Sequence, residues 1–191
     1  MATWSGACGA SADDAKQSST AMSLTASMSV TSATHYLGVR FQNVTVSQGA
    51  TINSATLTVD VPSTSSDSPN GVTWYGELAT NAAAFTTTAS DITNRARTTA
   101  TTVWSGSNIG TGDHDLTVTD IVQEIVDQGG WASGNAMGML LYGVASCAIQ
   151  VTDYNTSTTL CARLAIDYTG GGGGGGGNTM HAMDNERERE G

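Results

Sequence analysis

The carboxylates are the residues of this 191-residue chain best suited to catalysis. Glycoside hydrolysis needs a carboxylic acid of raised pKa beside a second carboxylate. Glu77 and Asp60 lie in predicted strands and have the residue types for such a pair. An unpaired charge buried in a sheet costs about 3–5 kcal/mol. The sequence therefore favours a buried ion pair of Glu77 with Arg40 or Arg95, and we predict no enzyme activity.

Metal binding is the next chemistry to consider, and the sequence does not predict it. No histidine has a second histidine or cysteine at a zinc-ligand spacing; the three are His35, His114 and His181. Four aspartates in predicted loops offer oxygen ligands, but without the regular alternation of a calcium loop: Asp67, Asp113, Asp115 and Asp153. The chain also lacks a Gly-x-Ser-x-Gly elbow and a phosphate-binding glycine loop. We predict no cofactor.

The cysteines leave two alternatives open. A hairpin centred on Tyr154 would set Cys147 opposite Cys161. Cross-strand Cβ atoms lie ~4.5–5.5 Å apart, usually more than the ~3.8 Å that a disulfide prefers. The pair is therefore either a disulfide or two buried free thiols, and Cys8 has no partner in either alternative.

The tryptophans are the side chains most able to stack on a sugar ring. Trp74 lies on the apolar face of a predicted strand, and Trp131 follows the end of a predicted helix, so both are interpreted as core anchors. Trp104 is ambiguous between the two faces of its strand. The sequence therefore shows no planar aromatic row of the kind expected of a sugar-binding face.

A short helix over about 119–128 is the element around which these residues are arranged. Thr119 or Asp120 can cap its first turn, because a short side-chain oxygen accepts from free N–H groups there. Its spacing gives one apolar stripe, formed by Ile121, Val122, Ile125 and Val126. The glycine pair at 129–130 predicts the helix end, since glycine adopts a left-handed cap without a Cβ penalty.

The rest of the chain has the pattern of strands and turns. Apolar residues alternate at period two in many short segments, and charged residues make up only 13% of the chain. This pattern predicts an all-β, two-sheet sandwich of jelly-roll type with one short helix. The predicted organisation is an arm over 1–20, a sandwich over 21–169, a glycine linker over 170–177 and a charged tail over 178–191.

Charge and chain ends limit the partners. A net charge of −10 disfavours nucleic-acid binding, and no apolar run approaches the ~20 residues of a membrane span. The first residues lack the basic and apolar regions of a signal peptide. We interpret the tail as an assembly segment that reaches a neighbouring subunit, through Gly170, Gly177, Arg187 and Arg189. A disordered tether is the alternative.

Three segments in order carry a resemblance: 36–59 (YLGVRFQNV…TLTV), 75–104 (YGELATNAAAF…TTVW) and 120–141 (DIVQEIVDQGGWASGNAMGMLL). Together they resemble jelly-roll modules of tailed-phage virion structural proteins and of secreted bacterial carbohydrate-binding-like accessories. The third segment is the most specific, although Gly129 replaces the proline usual before its Gly-Trp. The resemblance covers nearly the whole globule and supplies no catalytic motif.

These observations predict a non-catalytic structural protein of a phage virion, such as a capsid decoration or another particle-surface protein. It is expected to be made in the host cytoplasm and to associate with itself and with other virion proteins. One alternative is an extracellular carbohydrate-binding or adhesive module. A second alternative is a subunit of a secreted filament or surface layer.

Overall fold

The computed structural model describes residues 1–25, 27–62 and 67–170. Within these ranges the chain forms twelve strands, one α-helix, α1 (Thr119–Val126), and one turn of 3-10 helix, Ser11–Asp13. The first six strands are β1 (Ala2–Ala7), β2 (Asp14–Ser18), β3 (Ala21–Ser23), β4 (Met28–Val30), β5 (His35–Val44) and β6 (Thr51–Val61). The others are β7 (Val72–Glu77), β8 (Arg97–Trp104), β9 (Gly112–Thr117), β10 (Asn135–Tyr142), β11 (Ile149–Val151) and β12 (Arg163–Thr169).

Two antiparallel sheets make up the body of the molecule. One has four strands in the order β1-β12-β6-β9, and the other has six in the order β3-β2-β5-β10-β7-β8. A small ribbon pairs β11 with β4. The two sheets bury their apolar faces in one common cluster, which confirms the predicted all-β, two-sheet sandwich.

The core follows from the alternation along each strand, because successive side chains point to opposite faces. On β5, Leu37, Val39 and Phe41 point inward and are fully buried. They meet the inward residues of β6 and β10, among them Leu57, Val59, Met137, Met139 and Leu141. Each fully buried residue of this size contributes about 1.5–3 kcal/mol of hydrophobic stabilisation.

Helix α1 packs closely on the six-stranded sheet and covers part of its edge. A Cβ at Gly76 of β7 would lie 2.7 Å from the side chains of Ile121 and Ile125, so only glycine permits this approach. The Glu124 carboxylate accepts from the backbone N–H groups of Thr99 and Ala100 on the edge strand β8, at 2.9 and 2.8 Å. These bonds satisfy edge donors that would otherwise remain open to pairing.

The helix boundaries differ from the prediction. Val118 occupies the N-cap position and no side chain caps the helix; the Thr119 hydroxyl instead accepts from the Ala55 N–H of β6 at 3.0 Å. The helix ends at Val126, two residues before the predicted end, and the glycines at 129–130 are not left-handed. Tertiary contacts with β6 replace the expected local caps.

Two tryptophans lie in the core. Trp74 of β7 is fully buried between the sheets. Trp131, just after the helix, is 2% exposed and its indole N–H donates to the Val46 carbonyl at 2.9 Å. This bond ties the segment after α1 to the loop between β5 and β6.

The predicted arm over 1–20 is wrong, because these residues belong to the sandwich. β1 pairs with β12 along six positions, from Ala2 opposite Tyr168 to Ala7 opposite Arg163. β2 pairs with β5 in the other sheet. The small, polar composition that suggested an arm suits an edge strand equally well, since one face of such a strand remains in solvent.

The predicted hairpin around Tyr154 is also absent from the described residues. β11 pairs with β4, and β12 pairs with β1 and β6. Cys147 and Cys161 therefore do not face each other, and the disulfide alternative is wrong for this pair: all three cysteines are free and buried.

The described chain ends at Gly170, an exposed residue with φ of 72°. The remaining residues of the predicted linker and tail, including Gly177, Arg187 and Arg189, lie outside the described residues. Among the described residues, no helix combines the length and hydropathy required to cross a membrane.

Candidate functional site

Three tyrosines form a continuous aromatic surface on the outer face of the six-stranded sheet. Tyr36 of β5 lies directly opposite Tyr142 of β10, with ring centroids 4.8 Å apart and planes at 68°. Tyr75 of β7 contacts the other side of Tyr142 at 5.3 Å and 75°. All three rings are half-buried, so each keeps part of its surface in solvent.

Arg97 of β8 completes this surface. Its guanidinium carbon lies 4.3 Å from the ring centroid of Tyr142 and 4.7 Å from that of Tyr75, while the residue is exposed. Burial raises the pKa of Tyr142, and the nearby Arg97 charge opposes that rise. We name Tyr36, Tyr75, Tyr142 and Arg97 the tyrosine ladder.

An exposed apolar residue extends the tyrosine ladder toward the edge of the sheet. Val103 of β8 is 58% exposed. It pairs with Thr73 of β7, which in turn pairs with Tyr142. The outer face therefore presents aromatic, cationic and aliphatic groups side by side at one end of the sheet.

The other end of the same face is covered by the loop between β7 and β8, residues 78–96. Phe85 of this loop lies over Gly38 of β5, where a Cβ would fall 2.3 Å from the ring. Phe85 and Ile92 of the loop form a second, smaller apolar cluster with Ala15 and Leu140 of the sheet. Glycine in the strand is what allows the ring to approach the sheet backbone.

A buried ion pair fixes this covering loop. Arg95 donates to Glu77 at 2.8 Å and to Asp91 at 3.2 Å, and its guanidinium carbon lies 4.2 Å from the Phe85 ring centroid. The same guanidinium donates to the Ala83 and Ala84 carbonyls. Burial raises the pKa of Glu77, and the charge of Arg95 works against that rise.

Arg40 has a different partner from the one the sequence suggested. Its guanidinium donates to Asp13 at 2.5 Å, and Asp13 also accepts from Gln42 at 2.7 Å. Of the two predicted partners of Glu77, the structure gives Arg95, and the Arg40–Glu77 pair is wrong. The prediction missed Asp13 because the segment that carries it was taken for an arm outside the sheets.

The two carboxylates considered for glycoside hydrolysis are far apart in the architecture. Glu77 lies on β7 of the six-stranded sheet, and Asp60 lies on β6 of the four-stranded sheet. The Asp60 carboxylate accepts from the Thr152 hydroxyl at 2.5 Å. Both are engaged in contacts that hold the fold, and they do not form a paired site.

The outer face of the four-stranded sheet has a different character, with small and polar residues around a shallow groove of about 580 Å³. Arg163 forms an ion pair with Asp113 at its rim. The Thr58 hydroxyl donates to Asp115 at 2.6 Å. The rest of the lining consists of Ser5, Gly6, Ala7, Leu164 and Ala165. This groove, named the polar groove here, could accept a ligand through hydrogen bonds to the side chains at its rim.

The loop aspartates considered for calcium are dispersed. Asp113 and Asp115 line the polar groove, while Asp67 and Asp153 are buried elsewhere. The Asp67 carboxylate accepts from the Gln150 N–H at 3.1 Å, and burial raises its pKa. Over residues 1–25, 27–62 and 67–170, no three histidine, cysteine or acidic side chains are placed to hold a metal ion.

Sequence reasoning missed the tyrosine ladder because it looked for sugar-stacking residues among the tryptophans. The signal was present: Tyr36, Tyr75 and Tyr142 occupy the polar positions of strands whose alternate positions are apolar. Trp104, ambiguous in sequence, points inward and is 5% exposed. Trp4 is half-buried against the core, and its indole N–H donates to the Asn43 carbonyl at 2.8 Å.

Comparison with known proteins adds no functional assignment. A scan against models of protein families finds no match to this chain. A search of curated proteins finds no match either.

Proposed function

We propose that this chain is a non-catalytic structural protein of a phage virion, a capsid decoration or another particle-surface protein, that acts through self-association and docking. The observation that carries the docking role is the tyrosine ladder. The virion assignment rests on the resemblance of the three ordered sequence segments. Its partners would be other copies of itself and further virion proteins.

The chemistry of the tyrosine ladder supports a protein partner. Tyrosine and arginine are enriched at protein interfaces and among the residues that dominate binding energy. Tyr36, Tyr75 and Tyr142 each present an apolar ring and a polar hydroxyl. Such side chains suit a surface that is hydrated in the free protein and buried by a partner in a complex. The exposed Val103 adds apolar area beside them.

Ring orientation argues against a sugar at this surface. A pyranose stacks on the flat face of an aromatic ring, and a row of such faces has to be nearly coplanar. The Tyr142 plane is instead crossed at 68° and 75° by its two neighbours. The Arg97 guanidinium also lies over Tyr75 and Tyr142. Protein side chains can interdigitate with such a ridge more readily than a pyranose ring can.

The local charge of Arg97 favours self-association through the same surface, although the net charge of −10 repels a second copy. The whole chain carries 17 acidic residues against 7 lysines and arginines. An exposed arginine is therefore an uncommon feature of this surface, and a second copy offers many carboxylates to meet it. Opposite charges across an interface guide association and fix its register.

The strand orders support the jelly-roll connectivity that the resemblance implies. With β2, β3, β4 and β11 set aside, eight strands remain, and we number them one to eight along the chain. The four-stranded sheet then has the order 1-8-3-6, and the other sheet has the order 2-7-4-5. Two nested Greek keys give this arrangement, which is frequent in capsid and lectin domains.

Reversing one charge on each outer face tests the docking role. Arg97→Glu should abolish self-association in sedimentation velocity at micromolar concentration, because it removes the cation over Tyr75 and Tyr142 and adds repulsion. Arg163→Glu is the matched control, since it makes the same charge change in the polar groove and should associate like the wild type. A wild-type protein that stays monomeric and binds no particle, or equal effects of both variants, contradicts the proposal.

The virion assignment has its own test. Mass spectrometry of purified particles from the source should find this chain at a fixed ratio to the major capsid protein. Recovery of the chain only from the culture medium or from a cell-surface layer would instead favour a secreted filament or surface-layer subunit. Such a subunit would use the same tyrosine ladder.

The polar groove of the four-stranded sheet supports a second candidate, an extracellular carbohydrate-binding or adhesive module. Its convergent polar groups, Asp113, Asp115, Arg163 and Thr58, are of the kind that orient a ligand in a concave site. Glycan-array binding that Asp115→Asn weakens at least about tenfold, a loss of ~1.4 kcal/mol, would support this candidate. Glycan binding that Asp115→Asn leaves unchanged would exclude the polar groove as the glycan-binding site.

A further inference from the structure

Cys8 and Cys161 lie together although they are far apart in the sequence. Cys8 follows β1, and its N–H donates to the Ala162 carbonyl at 3.1 Å, which extends the β1–β12 ladder by one position. The Cys161 thiol lies 3.6 Å from the Cys8 carbonyl oxygen. Both side chains are buried, at 3% and 0% exposure. The Cys8 thiol donates to the Asp13 carbonyl at 3.4 Å, and the Cys161 thiol also lies 3.6 Å from the Thr158 carbonyl oxygen.

The third cysteine is placed elsewhere. Cys147 lies in the turn after β10, where its thiol donates to the Val144 carbonyl at 2.9 Å. This contact is local, within three residues of the same turn. Cys147 therefore serves as the internal control, a buried cysteine whose thiol contact lies within its own turn.

We propose that Cys8 and Cys161 are the site of a disulfide that joins the edge strand β1 to β12 when the protein meets a small-molecule disulfide such as oxidised glutathione. The inference is independent of the proposed function. It assigns a covalent modification to a pair that the sequence did not connect.

The reaction is a thiol–disulfide exchange in two steps. The Cys161 thiolate attacks one sulfur of oxidised glutathione, forms a mixed disulfide and releases one glutathione thiolate. The Cys8 thiol loses its proton to solvent and attacks the Cys161 sulfur, which releases the second glutathione. Two protein thiols are oxidised to one disulfide, and one glutathione disulfide is reduced to two thiols.

The electrostatics of the pair set the order of attack. The neighbouring Cys8 thiol lowers the pKa of Cys161, whereas the Cys161 thiol and burial raise the pKa of Cys8. The carboxylate of Asp14 opposes ionisation of both thiols. Cys161 therefore supplies the first thiolate. Access to the buried pair comes from local opening of β1, which lies at the edge of the four-stranded sheet.

The test uses the reduced full chain incubated with oxidised glutathione under native conditions. We expect the intact mass to fall by two hydrogen atoms. In the Cys147→Ser variant, non-reducing tryptic digestion should yield residues 1–16 joined to residues 98–163, where Cys161 is then the only cysteine. Because the bond closes a loop of roughly 150 residues, the melting temperature should rise by ~10 °C.

The controls separate this pair from any other oxidation. Cys147→Ser should retain the mass loss and the melting shift, and Cys8→Ser should lose both. Thiols that stay reduced, a glutathione adduct that persists, or a link through Cys147 would each overturn the proposal. The intact-mass measurement on the wild type needs no substitution, so a wild-type chain that keeps both hydrogen atoms overturns the proposal even if a variant folds poorly.

Discussion

Arg95 and Arg97 lie two residues apart and each places its guanidinium over an aromatic ring, yet they occupy two different regions of one sheet face. The Arg95 side chain is 8% exposed and pairs with Glu77 and Asp91 beneath the loop over 78–96. Arg97 is exposed on the tyrosine ladder. Arg95 holds the loop over 78–96 against β7, and Arg97 presents a positive charge to solvent.

The residues of the sheet itself mark the two regions. In the covered region β5 and β10 carry Gly38 and Gly138, where a Cβ would fall 2.3 Å from Phe85 and 2.6 Å from a Glu77 oxygen. In the open region the same strands carry Tyr36 and Tyr142. Glycine thus occurs where the loop over 78–96 covers the sheet. Tyrosine occurs where we propose that a partner protein covers it.

Breaking the covered region should have the largest effect. Arg95→Gln leaves the Glu77 carboxylate buried without its cation, and it removes the guanidinium over Phe85. Loss of one partner of a buried pair costs about 3–5 kcal/mol. We expect the free energy of unfolding in urea to fall by that amount.

The double variant Arg95→Gln with Glu77→Gln separates charge from packing. It removes the uncompensated carboxylate, so it should recover part of the lost stability. A single variant within ~0.5 kcal/mol of the wild type would mean that the loop is not held by this pair.

An intermediate effect is expected where the loop meets the sheet. Gly38→Ala places a methyl group inside the space of the Phe85 ring, and overpacking of this kind costs about 1–3 kcal/mol. Gly129→Ala is the matched control, because no atom lies within 4 Å of its Cβ position and its φ is not left-handed. In thermal denaturation, Gly38→Ala should melt at a lower temperature than Gly129→Ala. Equal melting temperatures would refute close packing of Phe85 on β5.

The fold was predictable where the pattern was local. The period-two alternation of apolar residues predicted strands, and Leu37, Val39 and Phe41 of β5 follow it on the inner face; the stripe containing Ile121 and Ile125 predicted α1. These signals depend only on the period of one element. The edge strand β1 could not be found in this way, because its small and polar residues have the composition of a loop.

Contacts between distant segments were the part that sequence could not supply. Arg40 could be matched with Glu77 on charge and burial, but its contact with Asp13 depends on residues 11–13 lying beside β5. Cys161 could be matched with Cys147 across a turn, but β11 pairs with β4 instead. In both cases the residue types were informative, and the strand order decided the partner.

The smallest effect on stability is expected at Arg97, and it provides the sharpest separation of the two regions. Arg97→Gln removes an exposed guanidinium that lies 4.3 Å from the Tyr142 ring centroid and 4.7 Å from that of Tyr75. A cation at an exposed aromatic site contributes about 0.5–1 kcal/mol, so the free energy of unfolding should fall by no more than ~1 kcal/mol. Self-association in sedimentation velocity should weaken far more, because the proposed interface removes the Arg97 guanidinium from water and the variant lacks that contact. Arg95→Gln should do the opposite: it should lower the free energy of unfolding strongly and leave the tyrosine ladder, and with it self-association, intact. If Arg97→Gln instead destabilises the monomer as much as Arg95→Gln does, the tyrosine ladder braces the fold, and a docking role for it is wrong.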